Sequence, residues 1–382
     1  MESRTKAIIK LNHLVDNYKL IYAKQPDNCK LALVLKADAY GHGAVECARA
    51  LEGVGADFFA VASIEEAIEL RNSDIGGDIL IFGWTPIEEL KSVEKYNLIQ
   101  TLIDMNYCKE ASKFLDKHNM KIRAHIKLDS GMSRLGWLCY GDKYDESMNQ
   151  VIKIYNSSNI NVEGIYTHFS SLYDNDMESN IYSDLQYRRF ITFINELKNN
   201  KINPGICHCN NSIGTLNNPE YSMDMNRVGT ALFGIIPKKS IKSHWKLKPV
   251  MNWKASIAMI KELDSNIPIS YSRKSTTLRP TRLAVITVGY ADGYSRKLSN
   301  SGEVGIRGHL CPIKGRVCMD MMLVDITDYD DISVGDEVIL SGQDEMNDIP
   351  CESLWKKLGT GPSDITCSIT SRVKRIYENM EV

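Results

Sequence analysis

A lysine that follows an apolar run is the most reactive feature of this sequence. Residues 31–35 are all apolar and have the length and bulk of a buried strand, and Lys36 comes directly after them. A charge at the end of such a strand is costly unless it is paired, neutralised or used. Tyr40, Gly41 and Gly43 follow, so an amine, a phenol and a flexible turn converge. A desolvated lysine amine is the usual nucleophile of Schiff-base chemistry, including attachment of pyridoxal phosphate (PLP). The alternative is a lysine that reaches out to solvent.

Polar residues also follow four later apolar segments. Taken singly, a histidine or arginine at a strand end is more often structural than catalytic. Five such ends carry groups that suit one anionic cofactor, so we expect them to meet in a single site. The later groups are Lys127 and Arg134 in the fifth segment, His168 in the sixth, Asn211 and Ser212 in the seventh, and Arg227, Gly229 and Thr230 in the eighth.

A scaffold of alternating strands and helices would bring these ends together. A capping box of Ser63 and Glu66 begins one helix, and Asn12 is expected to cap an earlier one. Eight alternations of strand and helix predict an α/β fold built on a TIM-like (β/α)8 barrel. The predicted strands are 31–35, 58–62, 78–83, 99–104, 121–129, 162–169, 206–211 and 223–228.

The pattern changes after residue 237. Short alternating apolar runs, separated by Gly and Asp turns, predict a mainly β domain with little helix. The basic stretch 238–242 marks a linker, so the chain divides into a PLP-binding barrel, 1–237, and a C-terminal β domain, 238–382. The predicted strands of the second domain are 255–260, 283–288, 303–307, 311–313 and 337–340.

Bulk composition is typical of a cytoplasmic enzyme. The 382 residues are 43% hydrophobic and 25% charged, which is enough for two domains with large cores. A net charge of −2 argues against nucleic acid as a partner, and no apolar stretch of about 18 residues predicts a membrane span. Ten cysteines are scattered without a framework. Cys207 and Cys209 flank His208, but a zinc site would need further ligands, so reduced thiols and no metal are expected.

The decapeptide 34–43 resembles the PLP-attachment signature of alanine racemases. The resemblance covers nearly the whole chain, through 127–136, 167–169, 227–234, 288–294, 315–320 and 324–325. It implies a PLP-dependent racemase that supplies D-amino acids for peptidoglycan precursors. It also implies a head-to-tail homodimer, in which the β domain of one subunit completes the active site of the other.

The same resemblance implies roles for individual residues. Lys36 would hold PLP and act as one base, and Tyr290 of the partner subunit would be the other. Arg227 would face the pyridine nitrogen, and His168 would orient Tyr290 beside the cofactor. The phosphate would be held by Tyr40, Ser212 and the backbone at Gly229 and Thr230, and Asn211 would be a further cofactor-binding residue.

The implied substrate groups come from both domains. Arg134 and Met319 would receive the substrate carboxylate, with Asp320 beside them. Lys127, as a carbamate, would brace Arg134.

The chemistry of racemisation requires these residue types. The Cα proton leaves from one face and returns on the other, so two different bases must flank the planar carbon. An arginine keeps its proton, so it leaves the pyridine nitrogen unprotonated and limits side reactions. A decarboxylase of this fold would need an acidic residue in place of Arg227. A PLP-binding regulatory protein of the barrel type would lack the β domain and Tyr290.

Ser371 departs from the family pattern, which has a tyrosine there. One interpretation is a neutral exchange compensated by Tyr377 or a water. The other is a pocket widened for a hydroxymethyl group, so that serine is racemised with residual alanine activity. The racemase domains of vancomycin-resistance serine racemases also lack this tyrosine and follow a membrane domain. The chain could therefore be the cytoplasmic part of a membrane-anchored resistance protein; the alternative is an ordinary alanine racemase.

Overall fold

Eight parallel strands form a closed barrel in this computed structural model, which describes residues 4–174, 176–241 and 245–378. The eighth strand pairs with the first, and the others follow in chain order. Asp224 N–H donates to the carbonyl of Cys207 (3.1 Å) and Arg227 N–H to that of Asn210 (3.2 Å), closing the ring between strands seven and eight. The predicted (β/α)8 barrel is confirmed. Its strands are Lys30–Val34, Phe58–Val61, Asp78–Ile81, Ile99–Leu102, Ile122–Asp129, Ile160–Tyr166, Ile206–His208 and Met225–Val228.

Helices cover the outside of the barrel because the strands are apolar on both faces. The predicted capping box is confirmed: Ser63 Oγ accepts from Glu66 N–H, and Glu66 reaches back to the Ser63 N–H. The prediction that Asn12 caps the first helix is wrong, because a strand runs straight into that helix and Lys10 holds the cap position. The helices are Leu11–Tyr22, Ala44–Glu52, Ile64–Asn72, Leu90–Lys95, Met105–His118, Tyr144–Tyr155, Met177–Asn199 and Ser212–Asn217.

A second, mainly antiparallel sheet has nine strands, and eight of them follow the barrel in the chain, where a mainly β domain was predicted. In spatial order its strands are Asp348–Ile349, Glu337–Gln343, Glu303–Ile306, His309–Lys314, Met322–Asp325, Thr281–Ile286, Met251–Leu263, Thr5–Lys10 and Lys374–Glu378. Two short helices, Cys351–Leu358 and Pro362–Ser368, connect its last strands. Lys242, the end of the predicted linker, lies outside the described residues.

The N-terminal strand Thr5–Lys10 belongs to the second sheet. It pairs antiparallel with Met251–Leu263 and parallel with Lys374–Glu378. Our division at residue 237 assigns these residues to the barrel, so the structure corrects it. Ala7 and Ile9 alternate inward and are fully buried, but a six-residue strand carries no local signal of the sheet it joins.

Candidate active site

A cavity of about 400 Å³ lies at the carboxyl ends of the barrel strands. The structure brings ten of the predicted site residues to its wall, from five different strand ends. They are Lys36, Tyr40, Lys127, Arg134, His168, Asn211, Ser212, Arg227, Gly229 and Thr230. Five such ends therefore meet around one space, at the face where barrel enzymes carry their chemistry.

Lys36 begins a left-handed turn rather than ending the strand. The strand stops at Val34, and the four residues from Ala37 to Tyr40 all have φ of 52–53°. Each non-glycine residue in this region costs about 1–2 kcal/mol, so the surroundings must hold the turn. Ala37 N–H donates to Glu66 Oε1 (2.7 Å), and the Gly41 carbonyl accepts from Arg375 Nε (3.1 Å).

The Lys36 amine is prepared to act as a nucleophile or base. Burial, and next the positive charge of Arg134, lower the pKa of this amine below its ordinary value. Partial desolvation and a cationic neighbour are the two usual ways of making a lysine reactive near neutral pH.

Arg227 lies buried at the floor of the cavity and is held by protein acceptors. Nη1 donates to His208 Nδ1 (2.8 Å), and Nη2 donates to the carbonyls of Thr167 (2.8 Å) and Cys209 (2.9 Å). Nη2 also lies 3.2 Å from His168 Nδ1. Among the described residues nothing accepts from Nε of Arg227, so that N–H is left for a ligand. Burial lowers the pKa of Arg227 to about 10, and the guanidinium stays charged at neutral pH.

Hydroxyl and backbone N–H groups collect at the ends of strands seven and eight. Ser212 Oγ accepts from the N–H groups of Gly229 (2.9 Å) and Ala231 (3.3 Å). A Cβ at residue 229 would lie 2.3 Å from Tyr40 Oη, so only glycine lets the phenol approach this backbone. Tyr173 Oη pairs with Thr230 Oγ1 (3.3 Å). Such a set of donors suits a phosphate group.

Lys127 is buried and its amine donates to the carbonyl of Leu128 (2.5 Å). Burial, followed by the charge of Arg227, lowers the pKa of Lys127 to about 7. A large share of this amine is therefore unprotonated at neutral pH, which is the form that reacts with carbon dioxide to give a carbamate.

Arg134 is exposed at the mouth of the cavity on a loop that the protein holds firmly. One carboxylate oxygen of Asp129 accepts from the N–H groups of Gly131, Met132 and Ser133 at 2.8–3.1 Å. From the helix Met177–Asn199, Tyr182 Oη donates to the Gly131 carbonyl (2.7 Å). The loop thus presents a cation at a defined place.

Comparisons with known proteins decide the family. The alanine racemase N-terminal domain model matches residues 9–237, and the C-terminal domain model matches residues 250–377. The chain belongs to the alanine racemase family. It is 37% identical over 374 residues to alanine racemase 2 of Caldanaerobacter subterraneus, covering 98% of this chain and 94% of that protein.

Solved alanine racemases share the whole fold. The structure from Clostridium difficile superimposes with a TM-score of 0.90 at 34% identity, covering 99% of this chain and 96% of that one. The Bartonella henselae enzyme, solved with covalently bound pyridoxal phosphate, gives a TM-score of 0.86 at 30% identity, covering 99% and 100%. This chain is therefore a PLP-dependent amino-acid racemase of the alanine racemase family.

PLP fits the alanine racemase cavity of this chain. Lys36 would offer an amine for its aldehyde, the hydroxyls of Ser212 and Tyr40 would offer donors for its phosphate, and Arg227 would offer one N–H to its ring nitrogen. The close approach of Tyr40 to Gly229 leaves no room for a side chain there, as expected of a phosphate cradle.

Three predicted site residues do not line the cavity of their own racemase chain. Tyr290 is 39% exposed and Met319 is 52% exposed, and Asp320 is half-buried beside them. Tyr290 lies in a 3-10 turn, Tyr290–Asp292, whose N–H groups donate to the carbonyls of Cys318 and Met319 (both 3.0 Å). These residues form one exposed unit of the β domain.

Ser371 also lies outside the wall of the racemase cavity. It is exposed in a shallow cleft on the outer side of the Lys36 turn, together with Asp38, Gly41 and Tyr377. Neither Ser371 nor Tyr377 therefore contacts the cavity through its own side chain in this subunit.

Eight residues in the cavity wall were not predicted as site residues, and the polar or aromatic ones among them are Phe82, Tyr166, Tyr173 and Ser363. Tyr166 had a usable signal, because it stands two residues before His168 at a strand end. Its ring stacks on His208 at 4.7 Å with planes 9° apart. Ser363 had none, because it reaches the barrel from the C-terminal domain.

Cys207 and Cys209 are buried free thiols, as are most of the cysteines. Within residues 4–174, 176–241 and 245–378 no cluster of three His, Cys, Asp or Glu side chains could hold a metal. No helix in the same ranges is long and apolar enough to cross a membrane.

Proposed function

We propose that this protein interconverts L- and D-alanine by moving the Cα proton between Lys36 on one face and Tyr290 on the other. The observation that carries the proposal is the desolvated Lys36 amine in one cavity with Arg227. PLP, when bound, withdraws electrons from Cα and so makes this proton acidic. The protein must then supply two bases, an anchor for the carboxylate and a dry site.

Arg227 sets the electronic character of the site. Its free Nε–H would donate a hydrogen bond to the ring nitrogen of bound PLP, but a guanidinium with a pKa of about 10 keeps its proton at neutral pH. By keeping its proton, Arg227 would leave the ring nitrogen unprotonated, and this would favour return of the proton to Cα over transamination.

Tyr290, Met319 and Asp320 are proposed to act in the site of a second copy of this chain. The support is that all three are at least partly exposed and apart from the Lys36 cavity of their own subunit. A head-to-tail homodimer would bring the Tyr290 turn over the partner's cavity. His168 then holds the phenol, since Arg227 occupies its Nδ1 and leaves Nε2–H for the tyrosine.

Arg134 is proposed to bind the substrate carboxylate, with Lys127 as a carbamate beneath it. A neutral amine with a pKa of about 7 can form an N–C bond with carbon dioxide and release one proton to solvent, and the resulting carbamate anion would offset the charges of Arg134 and Arg227. The pair of opposite charges would hold the Arg134 side chain over the cavity.

Alanine is favoured over serine because the relatives reported above are named alanine racemases. Serine racemisation is the second candidate, favoured by Ser371 standing where the family has tyrosine. A phenol there could extend from the outer cleft toward the substrate side chain, whereas Ser371 leaves that space open.

One assay separates these candidates. Racemisation of L-alanine and L-serine is measured with the parent and with Ser371→Tyr. Alanine racemisation by the parent supports the main proposal, and borohydride reduction should place the pyridoxyl label on the peptide that contains Lys36. A selective loss of serine activity in Ser371→Tyr supports the second candidate, and a parallel change in both activities contradicts it.

A further inference from the structure

A chain of two buried histidines extends from Arg227 into the barrel. Arg227 Nη1 lies 2.8 Å from His208 Nδ1, and His208 Nε2 lies 3.0 Å from His125 Nδ1. Both imidazoles are fully buried. His125 touches neither the cavity nor any residue proposed to bind substrate, so the proposed reaction does not use it directly.

The polarity of this chain follows from the guanidinium. Its nitrogens only donate, so His208 Nδ1 must accept the bond from Arg227. A neutral His208 then carries its proton on Nε2 and donates to His125 Nδ1. His125, in turn, must carry its own proton on Nε2.

Both rings are neutral at physiological pH. Burial lowers the pKa of His125 to about 3, and burial with the charge of Arg227 lowers the pKa of His208 well below its ordinary value. Each ring therefore has one donor and one acceptor, and their order along the chain is determined.

The far end of the chain is an unpaired donor. Among the described residues nothing accepts from His125 Nε2, although it is buried. Gly164 makes room for the ring: a Cβ at residue 164 would lie 2.7 Å from His125 Cε1 and 2.8 Å from Nε2. An apolar side chain at residue 125 would fill this space without the cost of a buried, unpaired N–H. We therefore attribute the presence of an imidazole to the hydrogen bond that its Nδ1 accepts from His208.

We propose that His125 is a positioning residue, which fixes His208 as the Nε2–H tautomer and thereby aims Arg227 at the cofactor ring. Without the acceptor on His125, His208 can move its proton to Nδ1. That proton would face the Nη1–H group of Arg227, which would break the 2.8 Å bond and turn the guanidinium. The consequence for catalysis rests on the proposed function. The tautomer of His208 does not, because it is set by hydrogen bonds within the protein.

The test reads the tautomer first, without substrate. Two-dimensional ¹H–¹⁵N spectra of the ¹⁵N-histidine-labelled protein, assigned with His208→Gln, should show His208 protonated on Nε2 only. His125→Phe, which keeps a flat ring but has no acceptor, should shift His208 toward Nδ1–H. His125→Gln, whose amide oxygen accepts, should restore the parent pattern. Phe58→Leu alters a neighbour whose ring lies 6.2 Å from His125 and is the control for loosened packing, so it should change nothing.

The kinetic readout follows from the tautomer. His125→Phe should raise the ratio of transamination to racemisation by at least about tenfold, with a smaller change in KM, and His125→Gln should stay near the parent ratio. An Nδ1–H tautomer in the parent protein would overturn the proposal even if His125→Phe does not fold. An unchanged tautomer in a folded His125→Phe would overturn it as well. If the parent racemises no amino acid, the proposed function fails while the tautomer result still decides this inference.

Discussion

Arg227 is a permanent cation in the interior of a barrel. It is tolerated because its two terminal nitrogens find four acceptors, of which two are carbonyls and two are neutral imidazoles. A buried charge without such partners would be very costly, so these acceptors explain how the charge is kept. Its remaining N–H is then available to the cofactor.

Replacing this cation by an acid should change the outcome of the reaction. In Arg227→Glu a carboxylate faces the pyridine nitrogen and stabilises a proton on it, so we expect racemisation to fall. The ratio of transamination to racemisation should rise by about 10- to 100-fold. Product analysis of D-alanine against keto acid and pyridoxamine phosphate measures this. Arg227→Lys retains the charge and is the matched control. An equal ratio in both variants would contradict the proposed contact.

The depressed histidine pKa values predict acid sensitivity. His125 has a pKa of 6.5 when unfolded and about 3 when folded, so below pH 6.5 the unfolded chain binds a proton that the folded one does not. Neutral, buried His125 therefore favours the folded state fully above pH 6.5. The free energy of unfolding falls as the pH drops from 6.5 toward 3, because the unfolded chain gains a proton that the folded chain does not. Urea unfolding at pH 7, 5.5 and 4.5 should therefore show a weaker pH dependence in His125→Phe than in the parent. Parallel curves would show that His125 does not contribute.

At the scale of elements, the start of one helix holds the left-handed turn that follows Lys36. Glu66 completes the capping box of the helix Ile64–Asn72, and its other oxygen accepts from Ala37 N–H, directly after Lys36. The same carboxylate also accepts from Ala62 N–H (2.7 Å). A local capping motif is thereby tied to a left-handed turn 29 residues earlier in the chain.

Removing this carboxylate should affect both elements. We expect Glu66→Ala to lower the free energy of unfolding by about 1–3 kcal/mol and to weaken PLP binding, because the turn at Lys36 loses a restraint. Glu65→Ala removes a charge from the same helical turn without touching Ala37, so it should cost less than about 1 kcal/mol. Chemical denaturation and PLP titration measure the two effects. Similar losses in both variants would mean that helix charge alone matters.

At the scale of the whole molecule, each chain separates its two proposed bases. Lys36 lies inside the barrel, whereas Tyr290 projects from the β domain on an exposed turn. The N-terminal strand Thr5–Lys10 ties the two domains together, since it pairs on both sides within the β sheet and leads straight into the first barrel helix. If the two domains keep this arrangement, Tyr290 can act only in the cavity of a second subunit.

Mixing two inactive variants tests the shared site. Lys36→Ala and Tyr290→Phe should each lose at least about 100-fold in racemisation. After refolding together in equal amounts, half of the dimers are hybrids, and one of the two sites in each hybrid has both bases. Activity should recover to about a quarter of the parent level. No recovery, with hybrids shown to form, would place both bases within one chain.

Local sequence patterns were sufficient for the elements and for most of the cavity. Alternating apolar segments indicated eight strands, and a capping box marked the start of one helix, because both signals arise within a few residues. Because parallel strands of a barrel end at one face, the positions of Lys36, His168 and Arg227 after predicted strands indicated that these residues share a site.

Long-range pairing decided the rest. The sheet that Thr5–Lys10 joins, the left-handed turn after Lys36, the approach of Ser363 and the bond between His125 and His208 all depend on residues far apart in the chain. By itself the sequence determined a barrel with a reactive lysine and a following β domain. Only the tertiary structure decided which side chains share the cavity and which face away, because contacts between distant segments leave no periodic trace in the chain.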